Sequence, residues 1–176
     1  MEFSELRVLV VGVGHVGSRI ARMLTALGAE VRGVDPYLTE TEKDNFNIPF
    51  CSYKVGLGWC NLITFHCPLT VETKDYFTED SLSLLNNPIF LINSARGGII
   101  NDEFLADFIE NKFILGGGID VFSTEPTPIF DYFRKKNVLI SPHAGAHTNL
   151  AKQRLSVETL RVWGKFRNTK NTKKIQ

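Results

Sequence analysis

Short apolar segments alternate with longer amphipathic segments along most of this chain. The first apolar run, Leu6 to Val11, leads into a glycine-rich turn, after which Ile20, Met23, Leu24 and Leu27 recur at helical spacing. Other short apolar runs are typical of buried strands and cover residues 30–34, 62–65, 89–93, 113–121 and 138–140. Helical patterns lie between or after them, over residues 78–85, 102–110 and 149–166.

This alternation predicts the fold class. Strands joined through helices of about ten residues form βαβ crossovers, which produce a parallel sheet covered on both faces. We therefore expect an α/β fold with a doubly wound parallel sheet. Residues 36–60 are the hardest to assign, and one short strand is expected near residues 50–53.

Composition limits the class of protein. With 43% hydrophobic and 22% charged residues, the chain resembles an ordinary folded domain. No apolar run approaches the roughly 18 to 20 residues that span a bilayer, and the N-terminus lacks the pattern of a signal peptide. We expect a cytoplasmic protein without a membrane partner. The 3 cysteines lack the spacing of a zinc site or a disulfide framework, so neither a metal nor a disulfide is predicted.

Charge is concentrated at the C-terminus. Residues 161–176 include six basic side chains and no acidic one, although the net charge of the chain is only +1. A basic tail can contact RNA or an anionic surface. This one is polar and without a repeating pattern, so a flexible, solvated end over residues 168–176 and no nucleic-acid partner are predicted.

The glycine-rich turn carries the first functional signal. Gly12, Gly14 and Gly17 form a Gly-x-Gly-x-x-Gly motif that follows a strand and opens a helix, and Asp35 ends the next strand. This is the Rossmann fingerprint for a dinucleotide. Gly12 permits the tight turn, Gly14 lets the backbone approach a pyrophosphate, and Gly17 lets the helix pack closely on the strand.

Asp35 indicates which dinucleotide is bound. Its carboxylate would accept hydrogen bonds from the ribose hydroxyls and repel a 2′-phosphate, which favours NAD over NADP. Arg32, in the same strand, keeps NADP open as the alternative. A plain glycine turn, with Asp35 as a turn former, is the other interpretation of these residues.

Three polar residues follow the ends of later strands and suggest catalysis. They are Arg96, Glu125 and His143, and the carboxyl ends of parallel strands line one crevice. A histidine can exchange a proton with the carbonyl oxygen of a 2-oxo acid, and a glutamate can orient and charge the imidazole. The arginine can bind the substrate carboxylate with two parallel hydrogen bonds.

With these residues the sequence resembles the NAD-binding domain of the D-isomer-specific 2-hydroxyacid dehydrogenases. The matching segments keep the order of that family and cover residues 11–17, 35–37, 63–70, 92–98, 119–126 and 142–145. The resemblance implies that Arg96 binds substrate, that Glu125 assists the acid/base histidine, His143, and that Asp120 holds the nicotinamide carboxamide. The residues that it implies for NAD are Gly12, Gly14, His15, Val16, Gly17, Asp35, Pro36, His66, Cys67, Pro68, Ala95, Arg96, Asp120 and His143.

The chain departs from the family in where the glycine motif lies. Family members usually carry a substrate-domain segment before this motif, which begins here at Gly12, so the substrate domain is expected to be largely absent. We predict a Rossmann domain over residues 1–146 and a helix over residues 147–167. This helix is expected to contact either another domain or a second copy of the chain in a homodimer. The final residues form the tail described above.

The predicted function is hydride transfer between NAD and a D-2-hydroxy acid or 2-oxo acid pair, whose members are phosphorylated in some relatives. Two alternatives remain at this point. One is a catalytically inactive NAD-binding or sensing module that lacks its substrate domain. The other is an unrelated Rossmann protein, such as a methyltransferase.

Overall fold

A parallel sheet of six strands forms the centre of the computed structural model, which describes residues 2–128, 130–134 and 136–172. In chain order the strands are β1 (Arg7–Val11), β2 (Glu30–Val34), β3 (Leu62–Phe65), β4 (Ile89–Asn93), β5 (Ile114–Ile119) and β6 (Val138–Ile140). Their order across the sheet is β2-β1-β3-β4-β5-β6. The order reverses beside β1, which is where ligands bind in doubly wound sheets. The predicted fold class is confirmed.

Helices connect and follow the strands. A short 3-10 helix, Phe3–Glu5, precedes the sheet. The α-helices are α1 (Gly17–Ala26), α2 (Glu40–Lys43), α3 (Tyr53–Trp59), α4 (Glu79–Ser83), α5 (Asp102–Glu110), α6 (Phe130–Arg134) and α7 (Asn149–Thr172). Within the described ranges, no helix is both long and apolar enough to cross a membrane.

The chain divides into two compact units. The first ends at Pro142 and contains the whole sheet, and the second begins at His143 and contains α7. Several apolar side chains of α7 are exposed, among them Leu155 at 70% and Leu160 at 69%.

Both faces of the first strand are buried, as a doubly wound sheet requires. Leu9 and Val11 belong to the larger core, beneath α3, α4 and α5, whereas Val8 and Val10 belong to a smaller core that includes Ala21 of α1. Since side chains alternate between the faces of a strand, the uninterrupted apolar run of β1 indicates a strand covered on both sides.

The sheet carries an apolar surface that we call the open face, made of Leu62, Phe90, Ile92 and Leu139. The register aligns Leu62 with Phe90, and it aligns Ile92 with Gly118 and Gly118 with Leu139. Leu139 is 82% exposed, and the other three are only partly buried. Together with Phe3 and Leu6 they line a cleft of about 340 Å³.

The structure corrects two predictions of local structure. Only Phe50 pairs with the sheet in the region expected to hold a short strand, through a single bridge to Gly33. The Ser52 hydroxyl then accepts a hydrogen bond from Val55 N–H and starts α3 at Tyr53. The predicted helix over residues 147–167 also ends too early, because α7 continues to Thr172, with neither proline nor glycine over residues 168–172 to end it. Residues 173–176 lie outside the described part of the chain.

Candidate cofactor and substrate site

The glycine turn after β1 is held between two other segments. Gly12 N–H donates a 2.8 Å hydrogen bond to the Val34 carbonyl at the end of β2. Gly12 has a φ of 87°, and a Cβ there would lie 2.7 Å from the Cys67 nitrogen. Only glycine satisfies both the positive φ and this close approach.

The N-terminus of α1 lies directly after the glycine turn. Gly14, His15 and Val16 are exposed, and no side chain among the described residues caps this helix. A Cβ on Gly14 would meet open space, since no described atom outside its chain neighbours comes within 4 Å. Uncapped N–H groups at the positive end of a helix dipole form a binding site for an anion.

Asp35 lies directly beside the glycine turn. One carboxylate oxygen accepts a 2.9 Å hydrogen bond from Val13 N–H, and the other accepts a 3.1 Å hydrogen bond from Tyr37 N–H. Arg32 is directed elsewhere, because its guanidinium carbon lies 4.1 Å from the ring centre of Trp59. This stacking leaves Asp35, which directly follows β2, as the charged group beside the glycine turn.

A cleft of about 180 Å³ lies between the glycine turn, Asp35 and the segment after β3. Seven of the predicted cofactor residues line it: Gly12, Gly14, Asp35, Pro36, His66, Cys67 and Pro68. Its lining also includes Tyr37, Thr70 and Glu72, of which Glu72 was not suggested by the sequence. Tyr37 OH donates a 3.2 Å hydrogen bond to Glu72, and the Thr70 hydroxyl donates a 2.9 Å hydrogen bond to the same carboxylate.

His66 contributes an uncharged wall to this cleft. Burial lowers the pKa of its imidazole from 6.5 to about 4, because the charged form loses its hydration. One ring nitrogen lies 3.0 Å from the Thr64 hydroxyl, so the neutral ring still has a hydrogen-bond partner.

This pKa predicts a loss of stability in acid. Between pH 6.5 and about 4 the unfolded chain protonates His66 and the folded chain does not, so stability falls as the pH falls through this window. Each pKa unit corresponds to about 1.4 kcal/mol, and partial exposure of the ring reduces the expected loss to about 2 kcal/mol.

Urea unfolding at a series of pH values tests this prediction. His66→Gln is expected to lose about 2 kcal/mol less than the wild type over the window, because glutamine does not titrate there. His15→Gln is the matched control, since His15 is exposed and is expected to behave as the wild type does. If the free energy of unfolding falls equally with pH in the wild type and in His66→Gln, the lowered pKa of His66 is refuted.

The turn that carries Arg96 is built on a buried asparagine that sequence reasoning missed. The Asn93 side chain is 3% exposed, accepts a 3.1 Å hydrogen bond from Ala95 N–H and donates a 3.0 Å hydrogen bond to the Arg96 carbonyl. The Arg96 side chain is exposed and donates to the Ala95 carbonyl at 2.6 Å. A polar residue at the end of an apolar strand was the signal that could have revealed Asn93.

The remaining predicted residues lie after β5 and β6. Glu125 is exposed and accepts a 3.1 Å hydrogen bond from Phe122 N–H, while Asp120 accepts a hydrogen bond from the Ser141 hydroxyl. His143 opens the second unit with a φ of 51°. The first unit therefore brings the glycine turn, Asp35 and residues 66–68 into one cleft, and it places Ala95, Arg96 and Asp120 just beyond the carboxyl ends of β4 and β5.

Comparison with known proteins shows the family of this chain. The sequence profile described as "D-isomer specific 2-hydroxyacid dehydrogenase, NAD binding domain" matches residues 1–145. D-3-phosphoglycerate dehydrogenase of Bacillus subtilis is 34% identical over 149 residues, which cover 85% of this chain and 28% of that protein. The Mycobacterium leprae protein of the same name is 32% identical over the same share of each chain.

Solved structures are also similar to this chain. The D-lactate dehydrogenase of Aquifex aeolicus, crystallised with NAD and lactic acid, is similar with a TM-score of 0.84 and 28% identity. The similarity covers 96% of this chain and 55% of that one. The chain thus spans about a quarter of the curated relatives that it matches and about half of this solved structure.

Proposed function

Because this chain belongs to the D-isomer specific 2-hydroxyacid dehydrogenase family, as its NAD-binding domain, we propose that it is the cofactor-binding part of an NAD-dependent D-2-hydroxyacid dehydrogenase. The observation that carries the proposal is the cleft beside β1, where the glycine turn, an uncapped helix N-terminus and Asp35 lie together. When bound, NAD would accept a hydride from the 2-hydroxy acid, or NADH would return one to the 2-oxo acid.

The residues of the cleft fit this cofactor. The open space at Gly14 admits a pyrophosphate beside the N-terminus of α1, whose N–H groups stabilise its charge. Asp35 accepts hydrogen bonds from the ribose hydroxyls and repels a 2′-phosphate, and Arg32 lies against Trp59. NAD is therefore preferred over NADP.

The catalytic roles follow from side-chain chemistry together with the family resemblance. Arg96 binds the substrate carboxylate with its planar guanidinium. His143 donates a proton to the carbonyl oxygen during reduction and removes it during oxidation, and Glu125 assists that imidazole. Asp120 holds the nicotinamide carboxamide. The substrate is a small 2-oxo acid, and the relatives named above make 3-phosphohydroxypyruvate a leading candidate.

An assay of the whole chain tests the proposal. We expect NADH consumption, followed by absorbance, with at least one acid among glyoxylate, pyruvate, hydroxypyruvate and 3-phosphohydroxypyruvate. NADPH should be consumed far more slowly. NADH binding in calorimetry without turnover of any acid would contradict catalysis by this chain alone and would leave it as the cofactor-binding part of a dehydrogenase or as an NAD-sensing module. The absence of NADH binding would overturn the proposal entirely.

We further propose that a second copy of the chain covers the open face. Leu139 on that face is 82% exposed, and Leu155 on α7 is 70% exposed. Two copies related by a twofold axis can cover such surfaces reciprocally.

The mass of the chain in solution tests this second proposal. Light scattering is expected to give twice 19.8 kDa for the wild type and a single-chain mass for Leu139→Lys. Val71→Lys is the matched control, because Val71 is 95% exposed but lies outside the open face. A single-chain mass for the wild type, or an equal effect of both variants, would refute the proposed dimer.

A further inference from the structure

The turn that carries Arg96 and the loop that carries Glu125 touch through their backbones. A Cβ on Gly97 would lie 1.9 Å from the Phe122 carbonyl oxygen and 2.7 Å from the Ser123 nitrogen. No side chain can therefore separate the two segments at this point. Residues 94–98 and 121–125 are packed as one surface at the carboxyl ends of β4 and β5.

Asp102 joins this contact from a third element. It is the first residue of α5, and its carboxylate accepts a 2.9 Å hydrogen bond from Ser123 N–H. The preceding amide in the same loop, Phe122 N–H, donates to Glu125. Two successive N–H groups thus donate to two carboxylates. Phe122 N–H donates to Glu125 within the loop, and Ser123 N–H donates to Asp102 outside it.

The helix does not require this side chain to begin. The Asn101 side chain caps α5 by accepting hydrogen bonds from Glu103 N–H and Phe104 N–H, at 2.9 and 3.3 Å. Glu103 supplies a second acid in the first turn, where it stabilises the helix dipole. The distinctive contribution of Asp102 is therefore its bond to the loop.

The position of Asp102 has an electrostatic cost. Burial raises the pKa of its carboxyl, and the nearby charge of Glu125 adds to the effect. A half-buried carboxylate placed near another acid is unfavourable for stability unless its hydrogen bonds offset the loss of hydration.

We propose that Asp102 is a positioning residue, whose hydrogen bond to Ser123 holds the loop of Glu125 against the turn of Arg96. The geometry of this contact is independent of any ligand. Its role in catalysis rests on the proposed function, in which Arg96 binds substrate and Glu125 assists the acid/base histidine.

Amide hydrogen exchange in the whole chain, without cofactor or substrate, tests the contact. In Asp102→Ala, Ser123 N–H is expected to exchange about tenfold faster, because it loses its hydrogen-bond acceptor. The Gly97 amide resonance is expected to shift as the two segments separate. Asp102→Asn should restore both signals, since its amide oxygen can accept the same hydrogen bond.

Glu103→Ala is the matched control. It also removes an acid from the first turn of α5, but the Glu103 side chain is exposed and should leave both signals unchanged. The proposal would be overturned by unchanged exchange in Asp102→Ala, by a failure of Asp102→Asn to restore it, or by an equal effect of Glu103→Ala. Faster exchange at Ser123 with an unchanged Gly97 resonance would also overturn it. Asp102 would then order only the loop of Ser123 and not the contact of that loop with the turn of Arg96.

The NADH assay separates this inference from the proposed function. Asp102→Ala is expected to lower kcat about tenfold with an unchanged KM for NADH, and Asp102→Asn should recover kcat. Unchanged kcat in Asp102→Ala would refute the catalytic part of the inference. If the wild-type chain consumes no NADH, the proposed function fails, whereas the exchange experiment still decides whether Asp102 holds the two segments together.

Discussion

Replacing Gly17 with alanine is expected to lower the free energy of unfolding by about 3 kcal/mol, at the upper end of the usual cost of overpacking. The new Cβ would lie 1.9 Å from the Gly12 carbonyl oxygen. That oxygen belongs to the tight turn, which is itself held against residues 66 and 67, so it cannot move away without displacing a second segment. Urea unfolding of the two proteins measures the difference.

Gly14→Ala in the same motif is the matched control for this prediction. Because its Cβ would meet open space, the free energy of unfolding should stay within about 0.5 kcal/mol of the wild-type value. The same methyl group would occupy the space proposed for the pyrophosphate, so the Kd for NADH should rise by about tenfold or more. Equal stability of Gly17→Ala and Gly14→Ala would contradict the steric account, and unchanged NADH affinity in Gly14→Ala would contradict the placement of the pyrophosphate.

Local patterns were sufficient to predict most of the fold. The apolar run of β1 and the glycine motif predicted a strand, a turn and a helix, and the helix expected over residues 102–110 coincides with α5. Asn101 explains this agreement, because a side chain that caps a helix is a signal contained in the neighbouring sequence. Parallel pairing then followed from the alternation of strands and helices.

The helix α3 was not predicted within residues 36–60, which were the hardest to assign. Gly56 and Gly58 are poor helix formers, and they obscured the helical pattern of this segment. At Gly56 the reason is tertiary, since a Cβ there would lie 2.4 Å from a methyl group of Leu9. Glycine allows α3 to approach β1 closely, and the periodicity of a single segment contains no information about its neighbour.

In the candidate site, too, sequence patterns suggested residues that act within one segment and missed pairs that are distant in sequence. Glycine spacing and a strand-ending acid identified Gly12, Gly14 and Asp35, because these residues carry out their proposed roles within one βαβ unit. Glu72 and Asp102 were missed because each acts across segments that are distant in sequence. Glu72 meets Tyr37 across 35 residues, and Asp102 meets Ser123 across 21. Whether the two residues of such a pair meet depends on the order of the strands in the sheet.

Replacing His143 with alanine is expected to lower kcat for NADH-dependent reduction by about 100-fold, the lower end of the usual contribution of a general acid. His143 follows the last strand of the sheet by three residues, and its positive φ sets its backbone apart from the strand that precedes it. Loss of the imidazole removes the proposed proton donor to the substrate oxygen, whereas the proposed cofactor cleft of the first unit is lined by other residues. The KM for NADH should therefore change little.

His147→Ala is the control for this measurement, because His147 is an exposed histidine of the same unit. Wild-type kcat in His147→Ala together with the lowered kcat in His143→Ala would show that the reaction depends on the His143 imidazole. Equal turnover in both variants would refute His143 as the acid/base residue, even if the chain consumes NADH.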